Sequence, residues 1–382
     1  MNRLVLIGNG FDLAHGLKTS YADFINWYWE QWGDRLMVSC NKKEEDILCS
    51  FEMNSQYGLG GWYLARDWHY QNRVLDAKEF IHRIKTDTGF CEFKYKSLFF
   101  EQINKSIESK GWVDIENEYY SMLVKTKGFG NGYLRLNNQL DFLREKIIEY
   151  LRIKIQQNTS IIEEIKDKIY CPIHEREVSV KARSISFIEN ADGPIHFVPL
   201  IYNKKQKKRN PWHTMLLNFN YTNTPEMYLD NNATVNYIHG KLDDPQSVIF
   251  GYGDELDENY KRLKEQNDGE CMRHVKSIRY LEHDNYRRML EFIESAPFQV
   301  VIMGHSCGNS DRTLLNTIFE HRNCVSIKPY YYMKDDRTDN YSELTISINR
   351  NFNDPKLMRD RVVCKDYCEP LTGVKPGVKV LG

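Results

Sequence analysis

Residues 4–16 read LVLIGNGFDLAHG, and this stretch predicts how the fold begins. The apolar run 4–7 ends at Gly8, and Gly10 follows two residues later. An apolar run that stops at glycines is typical of a strand that leads into a tight turn. Such glycines let the backbone approach a phosphate, and the N-terminus of a following helix adds N–H donors. The alternative is an ordinary tight turn in which Asp12 caps a helix, because the third glycine of the dinucleotide fingerprint is missing.

The sequence after this turn has a helical pattern up to about residue 160. Ser20 and Asp23 have the spacing of a capping box. Apolar residues in 136–158 recur at helical spacing, which makes this the clearest helix. Further helices are predicted near residues 69–86, 92–110 and 114–126. We therefore expect residues 21–159 to form a large helical insertion after the first strand.

The rest of the chain shows strands that alternate with helices. A β-like alternation begins within 170–203, at 178–182 and 185–188. Later strands are predicted at 215–219, 235–239, 248–252, 298–304, 325–333 and 344–348, with helices at about 272–295 and 311–322. This alternation predicts an α/β fold with a mostly parallel, helix-covered sheet. We expect residues 1–20 and 160–382 to form one Rossmann-like nucleotide-binding domain.

Composition excludes several classes of protein. The 382 residues carry 52 Lys and Arg against 53 Asp and Glu, a net charge of −1, which argues against a general nucleic-acid binder. No stretch approaches the roughly 20 apolar residues that span a bilayer, and the N-terminus does not resemble a secretory signal. The nine scattered cysteines favour free thiols in a reducing cytoplasm and no metal site. The dense basic run 204–209 is read as a solvated loop, with a phosphate contact as the alternative.

Three further strand ends carry polar residues that could do chemistry. The stretch LLNFNYTNT (216–224) presents Asn220, whose amide can hold a water or a sugar hydroxyl, although such residues also bond their own turn. YIHGKLDDP (237–245) places His239 at a strand end, where we expect an exposed imidazole that titrates near neutrality and serves as a base. A structural histidine is the alternative.

The last strand end lies in VVIMGHSCGNSDRTLLNTIF, residues 300–319. The strand breaks at Gly304, and Ser306 could reach a ribose or a phosphate. Asp311 precedes a helix, where it acts either as an N-cap or as a ligand contact. Because the carboxyl ends of parallel strands meet at one edge of a sheet, these four strand ends predict a single nucleotide site.

The ordered set of motifs resembles the AbiH family of phage abortive-infection proteins and, more broadly, sirtuin-like NAD-hydrolysing proteins of bacterial immunity. The AbiH-like stretches are LIGNGFDLAHGLKTSYADF (6–24), WVDIENEYY (112–120), NFNYT, IHG and MGHSCGNSD. The resemblance covers nearly the whole chain. The zinc-binding cysteine module of deacetylating sirtuins is absent, so the resemblance implies NAD hydrolysis rather than deacetylation.

The resemblance also implies roles for individual residues. The glycine loop, here Gly8, Asn9 and Gly10, would cradle the diphosphate of NAD. Asn220, followed by Tyr221, would position the nicotinamide ribose or the attacking water, and His239 would act as the base. The nucleotide contacts are completed by residues of two other segments: Asp12, Gly304, Ser306 and Asp311.

The expected function is therefore that of a cytoplasmic antiphage protein that hydrolyses NAD, its substrate, to nicotinamide and ADP-ribose. A non-catalytic nucleotide sensor is the first alternative. A receptor for a phage component that uses the insertion and the run 204–209 is the second. A second copy of the chain and a phage-derived activator are partners that this role allows, whereas a membrane is not expected. For Asp114 and Glu116 we expect only a contribution to a helix start.

Overall fold

The computed structural model describes residues 1–39, 43–53, 91–126, 131–155, 159–186 and 208–373. These residues form two compact units. The first unit comprises the described parts of Met1–Leu17, Gln157–Lys261 and Val275–Val380. The second comprises the described parts of Lys18–Gln156 together with Arg262–His274. The predicted insertion, residues 21–159, lies largely in this second unit, which also contains the segment Arg262–His274.

The described strands and helices are numbered in chain order. The strands are β1 (Asn2–Ile7), β2 (Lys43–Glu45), β3 (Cys49–Met53), β4 (Cys91–Tyr95), β5 (Ile173–His174), β6 (Lys208–Arg209), β7 (Thr214–Asn218), β8 (Ala233–Tyr237), β9 (Phe298–Met303) and β10 (Cys324–Tyr330). The α-helices are α1 (Asn9–Ala14), α2 (Tyr21–Ser39), α3 (Leu98–Lys110), α4 (Ile115–Lys125), α5 (Gly132–Lys154), α6 (Glu163–Tyr170), α7 (Val180–Ser186), α8 (Glu258–Lys264), α9 (Lys276–Arg279), α10 (Asn285–Ser295), α11 (Arg312–Phe319), α12 (Tyr341–Arg350) and α13 (Pro355–Arg361).

The first unit is built on a parallel sheet. Within the described residues, five strands lie in the order β10-β9-β1-β7-β8, and every neighbouring pair is parallel. The prediction of an α/β fold with a mostly parallel sheet is confirmed. The chain runs outward from β1 through β7 to β8 and then returns to β9 on the other side of β1. This reversal makes a topological switch point between β1 and β9, the place where open α/β sheets bind ligands.

Strand β1 is the middle strand of the sheet and is covered on both faces. All six of its residues are buried. Leu4 and Leu6 pack into one hydrophobic cluster, whereas Val5 and Ile7 pack into another. Alternate residues of a strand point to opposite faces, so the sheet has a core on each side.

Several predicted elements of the first unit are wrong. The predicted strand 344–348 lies inside helix α12, and the predicted alternation at 178–182 leads into helix α7. Residues 248–252 form only a bridge between Tyr252 and Val275, and the predicted helix 272–295 is divided into α9 and α10. Of the other alternation, 185–188, the first two residues lie in helix α7 and the last two lie outside the described residues.

The second unit contains helices and a small sheet. Within the described residues, β2, β3 and β4 form an antiparallel sheet that the purely helical interpretation of 21–159 missed. The capping box is confirmed, since the Asp23 N–H donates to Ser20 Oγ (3.1 Å) and the Ser20 N–H donates to Asp23 Oδ2 (3.3 Å). Helix α4 begins as predicted, with the Asp114 carboxylate accepting from the Asn117 N–H at 3.0 Å. The predicted helix 69–86 and the run 204–207 lie outside the described residues.

The segment Arg262–His274 is held to the helices of the second unit by polar contacts. Asn137 Nδ2 donates to the backbone oxygen of Glu270 and to its carboxylate, each at 2.8 Å. Arg273 pairs with Asp141 at 3.0 Å. These side chains lie on helix α5 and on the segment, so the segment is an integral part of this unit. None of the helices in the described part of the chain is both long and apolar enough to span a bilayer.

Candidate functional site

The polar strand ends of the first unit meet at one edge of the parallel sheet. Ile7 pairs with Asn218 on one side and with Met303 on the other, and Asn218 pairs in turn with Tyr237. Strands β1, β7, β8 and β9 therefore end at the same level. The residues that follow them, which include Gly8, Asn220, His239 and Gly304, are gathered at the carboxyl edge of the sheet.

The turns after β1 and β9 pack backbone against backbone. Gly304 has a φ of +75°, and a Cβ there would lie 2.1 Å from the Phe11 nitrogen. A Cβ on Gly8 would lie 2.5 Å from the Cα of His305. The Gly8 N–H donates to Met303 O (3.2 Å) and the Gly10 N–H donates to Gly304 O (2.8 Å). These glycines allow the two loops to pack closely together. Because the Gly8 and Gly10 amides already donate to backbone carbonyls, they do not match the predicted diphosphate cradle.

Asp12 is buried inside α1 and is not its cap. The N-cap position of α1 is Gly8, and the Asp12 side chain is 0% exposed. Thr222 Oγ1 donates to Asp12 Oδ2 at 2.7 Å, whereas Asp12 Oδ1 has no hydrogen-bond partner among the described residues. Burial raises the pKa of the Asp12 carboxyl to about 6, although nearby hydroxyl and amide donors oppose the rise. Asp12 thus joins the turn after β1 to the loop after β7.

Asn220 is fixed at this edge by two hydrogen bonds. Its Nδ2 donates to Gly8 O at 3.0 Å, and its backbone N–H donates to Asn218 Oδ1 at 3.1 Å. The Asn218 side chain also donates to Thr222 O at 2.9 Å, so Asn218 follows the alternative interpretation, a turn that bonds its own backbone. Asn220 is half-buried and holds the first turn against the loop after β7.

His239 is buried, which corrects the expectation of an exposed imidazole. Its side chain is 5% exposed, and its Nε2 lies 3.2 Å from Asp311 Oδ1 and 3.2 Å from the Tyr280 hydroxyl. The ring also stacks at 7° on Tyr280 and meets Phe219 edge-on. Burial and the Lys276 ammonium lower the pKa of His239, while Asp311 opposes them. Burial and Lys276 thus favour the neutral form of the imidazole.

Asp311 is the centre of a buried polar cluster. Its Oδ1 accepts from Lys276 Nζ at 2.7 Å, and its Oδ2 lies 3.6 Å from His305 Nε2. Burial would raise the pKa of Asp311, but Lys276 and His239 hold it well below its usual value. Asp311 occupies the N-cap position of α11, yet its side chain makes no capping hydrogen bond. The N-cap interpretation of this side chain is therefore wrong, and we name Asp311, Lys276, His239 and His305 the Asp311 cluster.

The loop after β9 fixes the ring of His305. The Cys307 N–H donates to His305 Nδ1 at 3.0 Å, so Nδ1 is the acceptor and the proton of a neutral ring lies on Nε2, toward Asp311. Cys307 has a φ of 54°, a left-handed conformation that a non-glycine residue adopts at a cost. The ring of Phe219 packs on His305 with a centroid separation of 4.1 Å.

The structure brings most of the predicted residues together at this edge of the sheet. Ser306 differs from the others because its side chain is exposed. Gly8, Gly10 and Gly304 lie at the junction of the two turns, with Asn220 and Asp12 on the β7 side. His239 and Asp311 lie together in the cluster, whereas Ser306 is exposed and Asn9 is half-buried in the first turn of α1.

Two residues of the cluster were not predicted. His305 directly follows Gly304 in the stretch 300–319. Its imidazole, which could have been recognised in that motif, is a better candidate for the site than the adjacent Ser306. Lys276 lies in no motif, and its partner Asp311 is 35 residues away. Among the described residues, no group of three or more His, Cys, Asp or Glu side chains is placed to hold a metal ion.

Comparison with known proteins identifies the family. A family model described as bacteriophage abortive infection AbiH matches residues 4–332, which is most of the chain. Neither the search of curated proteins nor the search of solved structures gave a match. The matched range contains every strand end and every cluster residue described above. The chain therefore belongs to the AbiH family, which implies a role in abortive infection by bacteriophage.

Proposed function

We propose that this protein acts in abortive infection by hydrolysing NAD to nicotinamide and ADP-ribose at the carboxyl edge of its parallel sheet. The observation that carries the proposal is the pairing of His239 Nε2 with Asp311 Oδ1 at 3.2 Å. A histidine oriented by a buried carboxylate is the arrangement that enzymes use to present a general base. The position at the carboxyl edge of an open α/β sheet supports a nucleotide as the substrate.

The pairing determines which nitrogen of His239 can accept a proton. Because a carboxylate only accepts hydrogen bonds, the 3.2 Å contact of Nε2 with Asp311 Oδ1 supports an imidazole proton on Nε2. Nδ1 then carries the lone pair. The neutral state favoured by burial makes that lone pair available at pH 7.

The reaction needs a proton acceptor but no acid. As the C1′–N bond breaks, its electron pair moves to the pyridinium nitrogen, and nicotinamide leaves as a neutral molecule. The water oxygen forms the new bond to C1′, and its proton passes to His239 Nδ1. Asn220, held by Gly8 O, orients the water or the ribose hydroxyls through its amide oxygen.

The diphosphate requires donors other than the Gly8 and Gly10 amides. Both N–H groups already donate to carbonyls of the β9 end. The exposed hydroxyl of Ser306, in the loop after β9, is one donor that a bound nucleotide can reach. The proposal thus keeps the ribose chemistry at His239 and Asn220 and moves the phosphate contact toward the β9 loop.

The test is an NAD-consumption assay on the full-length protein with and without phage lysate. Nicotinamide and ADP-ribose are quantified by chromatography. We expect His239→Ala and Asn220→Ala each to lower the rate by about 100-fold or more, since a positioned base contributes about that much. Matched controls are His321→Ala and Asn232→Ala, which precede β10 and β8 at the opposite edge and should keep the wild-type rate.

Two results would contradict the proposal. Equal NAD consumption by the wild type and both site variants would exclude His239 and Asn220 from the chemistry. Tight NAD binding without nicotinamide release, with lysate present, would instead favour the non-catalytic sensor. Binding is measured by titration calorimetry on the same preparations.

A further inference from the structure

Lys276 and His239 both contact the same carboxylate oxygen of Asp311. Lys276 Nζ lies 2.7 Å from Asp311 Oδ1, and His239 Nε2 lies 3.2 Å from the same atom. The Lys276 side chain is 0% exposed, and that of Asp311 is 10% exposed. The ammonium therefore acts on the imidazole across a single carboxylate oxygen, with little water between them to screen the charge.

The surroundings of His239 contain few other charges. The titratable groups that face the imidazole among the described residues are Tyr280, Asp311 and Lys276, with His305 on the far oxygen of Asp311. The apolar ring of Phe219 also meets the imidazole edge-on. Without Lys276, a buried carboxylate beside an imidazole would favour the imidazolium, because the pair would then be neutral overall. With Lys276, the carboxylate is already neutralised.

We infer that Lys276 is a positioning residue that keeps His239 uncharged, with its proton on Nε2 and its lone pair on Nδ1. Lys276 satisfies the negative charge of Asp311, so Asp311 orients the imidazole without protonating it. The inference rests on the proposed function only for the use of Nδ1 in catalysis. The charge and tautomer of His239 can be measured without any substrate.

The direction of the effect follows from the causes of the His239 shift. Burial and Lys276 lower the pKa of His239, and Asp311 raises it. Replacing Lys276 by an uncharged side chain removes one of the groups that lower the pKa of His239 and leaves Asp311, which raises it. The pKa of His239 should therefore rise, by about one unit or more for a charge at this distance.

The first experiment is NMR of the full-length protein labelled with ¹⁵N-histidine, with His239 assigned from the spectrum of His239→Gln. Two-bond ¹H–¹⁵N correlations distinguish the two neutral tautomers from the imidazolium. We expect the wild type to show neutral His239 protonated on Nε2 at pH 6. In a pH titration of the same signals, Lys276→Met should form the imidazolium at a higher pH than the wild type, and Lys276→Arg should return the transition toward the wild-type pH.

A matched control is Lys168→Met. Lys168 is also buried in the first unit, but it bonds Glu164 and backbone carbonyls elsewhere, so its loss should leave His239 unchanged. If Lys276→Met does not give folded protein, Lys276→Gln makes the same test with a side chain that still donates to Asp311. An imidazolium or an Nδ1-protonated ring in the wild type at pH 6 would overturn the inference. An unchanged His239 in the uncharged variant would do the same.

The second experiment is the pH profile of NAD hydrolysis. The acidic limb of kcat/KM should move to higher pH by about one unit in Lys276→Met and should return in Lys276→Arg, since each unit is a tenfold change in the neutral fraction. A structural role would lower the rate at all pH values without moving the limb, and that result would contradict the inference. If no preparation hydrolyses NAD while the NMR states are as expected, the proposed function fails and the inference about Lys276 stands.

Discussion

The locked glycine turns predict a large loss of stability for Gly304→Ala. At φ +75°, an alanine costs about 1–2 kcal/mol for its conformation alone. The new Cβ would also lie 2.1 Å from the Phe11 nitrogen and 2.5 Å from the Gly10 carbonyl carbon, so backbone must move. Overpacking of this kind adds about 1–3 kcal/mol. The free energy of unfolding should therefore fall by roughly 2–5 kcal/mol.

Gly16→Ala separates the two contributions. Gly16 has a φ of +80°, but a Cβ there would meet nothing within 4 Å. This variant, in the same unit, should lose only the conformational cost of about 1–2 kcal/mol. Gly373→Ala, with open space and no positive φ, should stay within about 0.5 kcal/mol of the wild type.

The assay is urea unfolding of the full-length protein, followed by circular dichroism and tryptophan fluorescence. Gly304→Ala should have the lowest midpoint, Gly16→Ala an intermediate one and Gly373→Ala the wild-type value. If Gly304→Ala is no less stable than Gly16→Ala, the turns after β1 and β9 are not in backbone contact, and the geometry given for the site is wrong.

Two further changes test single side chains. Because the pKa of Asp12 is raised from 3.8 to about 6, the native state holds its proton more tightly, and stability should fall by about 3 kcal/mol as the pH rises from about 4 to 6. Asp12→Asn removes that fall in pH-dependent urea unfolding, and parallel curves for variant and wild type would refute the assignment. Asp114→Ala removes the N-cap of α4 and should cost about 1 kcal/mol, whereas Asp114→Ser should be nearly neutral; equal losses in the two would exclude capping.

The parallel sheet could be predicted because its strands are locally distinct. Residues 4–7 form an apolar run bounded by glycine, and such runs are typical of strands covered on both faces. The prediction of a strand at 344–348 is wrong because the sequence LTISI fits both the two-residue period of a strand and the 3.6-residue period of a helix. In helix α12, Leu344 and Ile348 are buried four residues apart, while Ile346 is 55% exposed. Only the packing of that helix against the sheet reveals the helical period.

The sequence predicts where these candidate residues lie on the sheet but not which side chains surround them. His239 follows β8 and reaches the expected edge, yet side chains from distant parts of the chain cover it. Tyr280 and Lys276 come from the segment between β8 and β9, and Asp311 from beyond β9. Burial of this kind depends on long-range packing, which no local pattern encodes. For the same reason, the sequence pattern assigns the glycine amides to a phosphate, whereas in the structure they donate to the carbonyls of Met303 and Gly304.

The anchoring of Arg262–His274 in the second unit has a consequence for chain deletion. A protein shortened by removal of residues 18–156 would lose Asn137 and Asp141, the partners of Glu270 and Arg273. Removal of residues 18–156 would therefore leave the retained segment Arg262–His274 without these polar partners. His274, the last residue of the anchored segment, precedes Lys276 by two positions. The shortened protein would thus carry Lys276 two residues after a segment that has lost its polar partners.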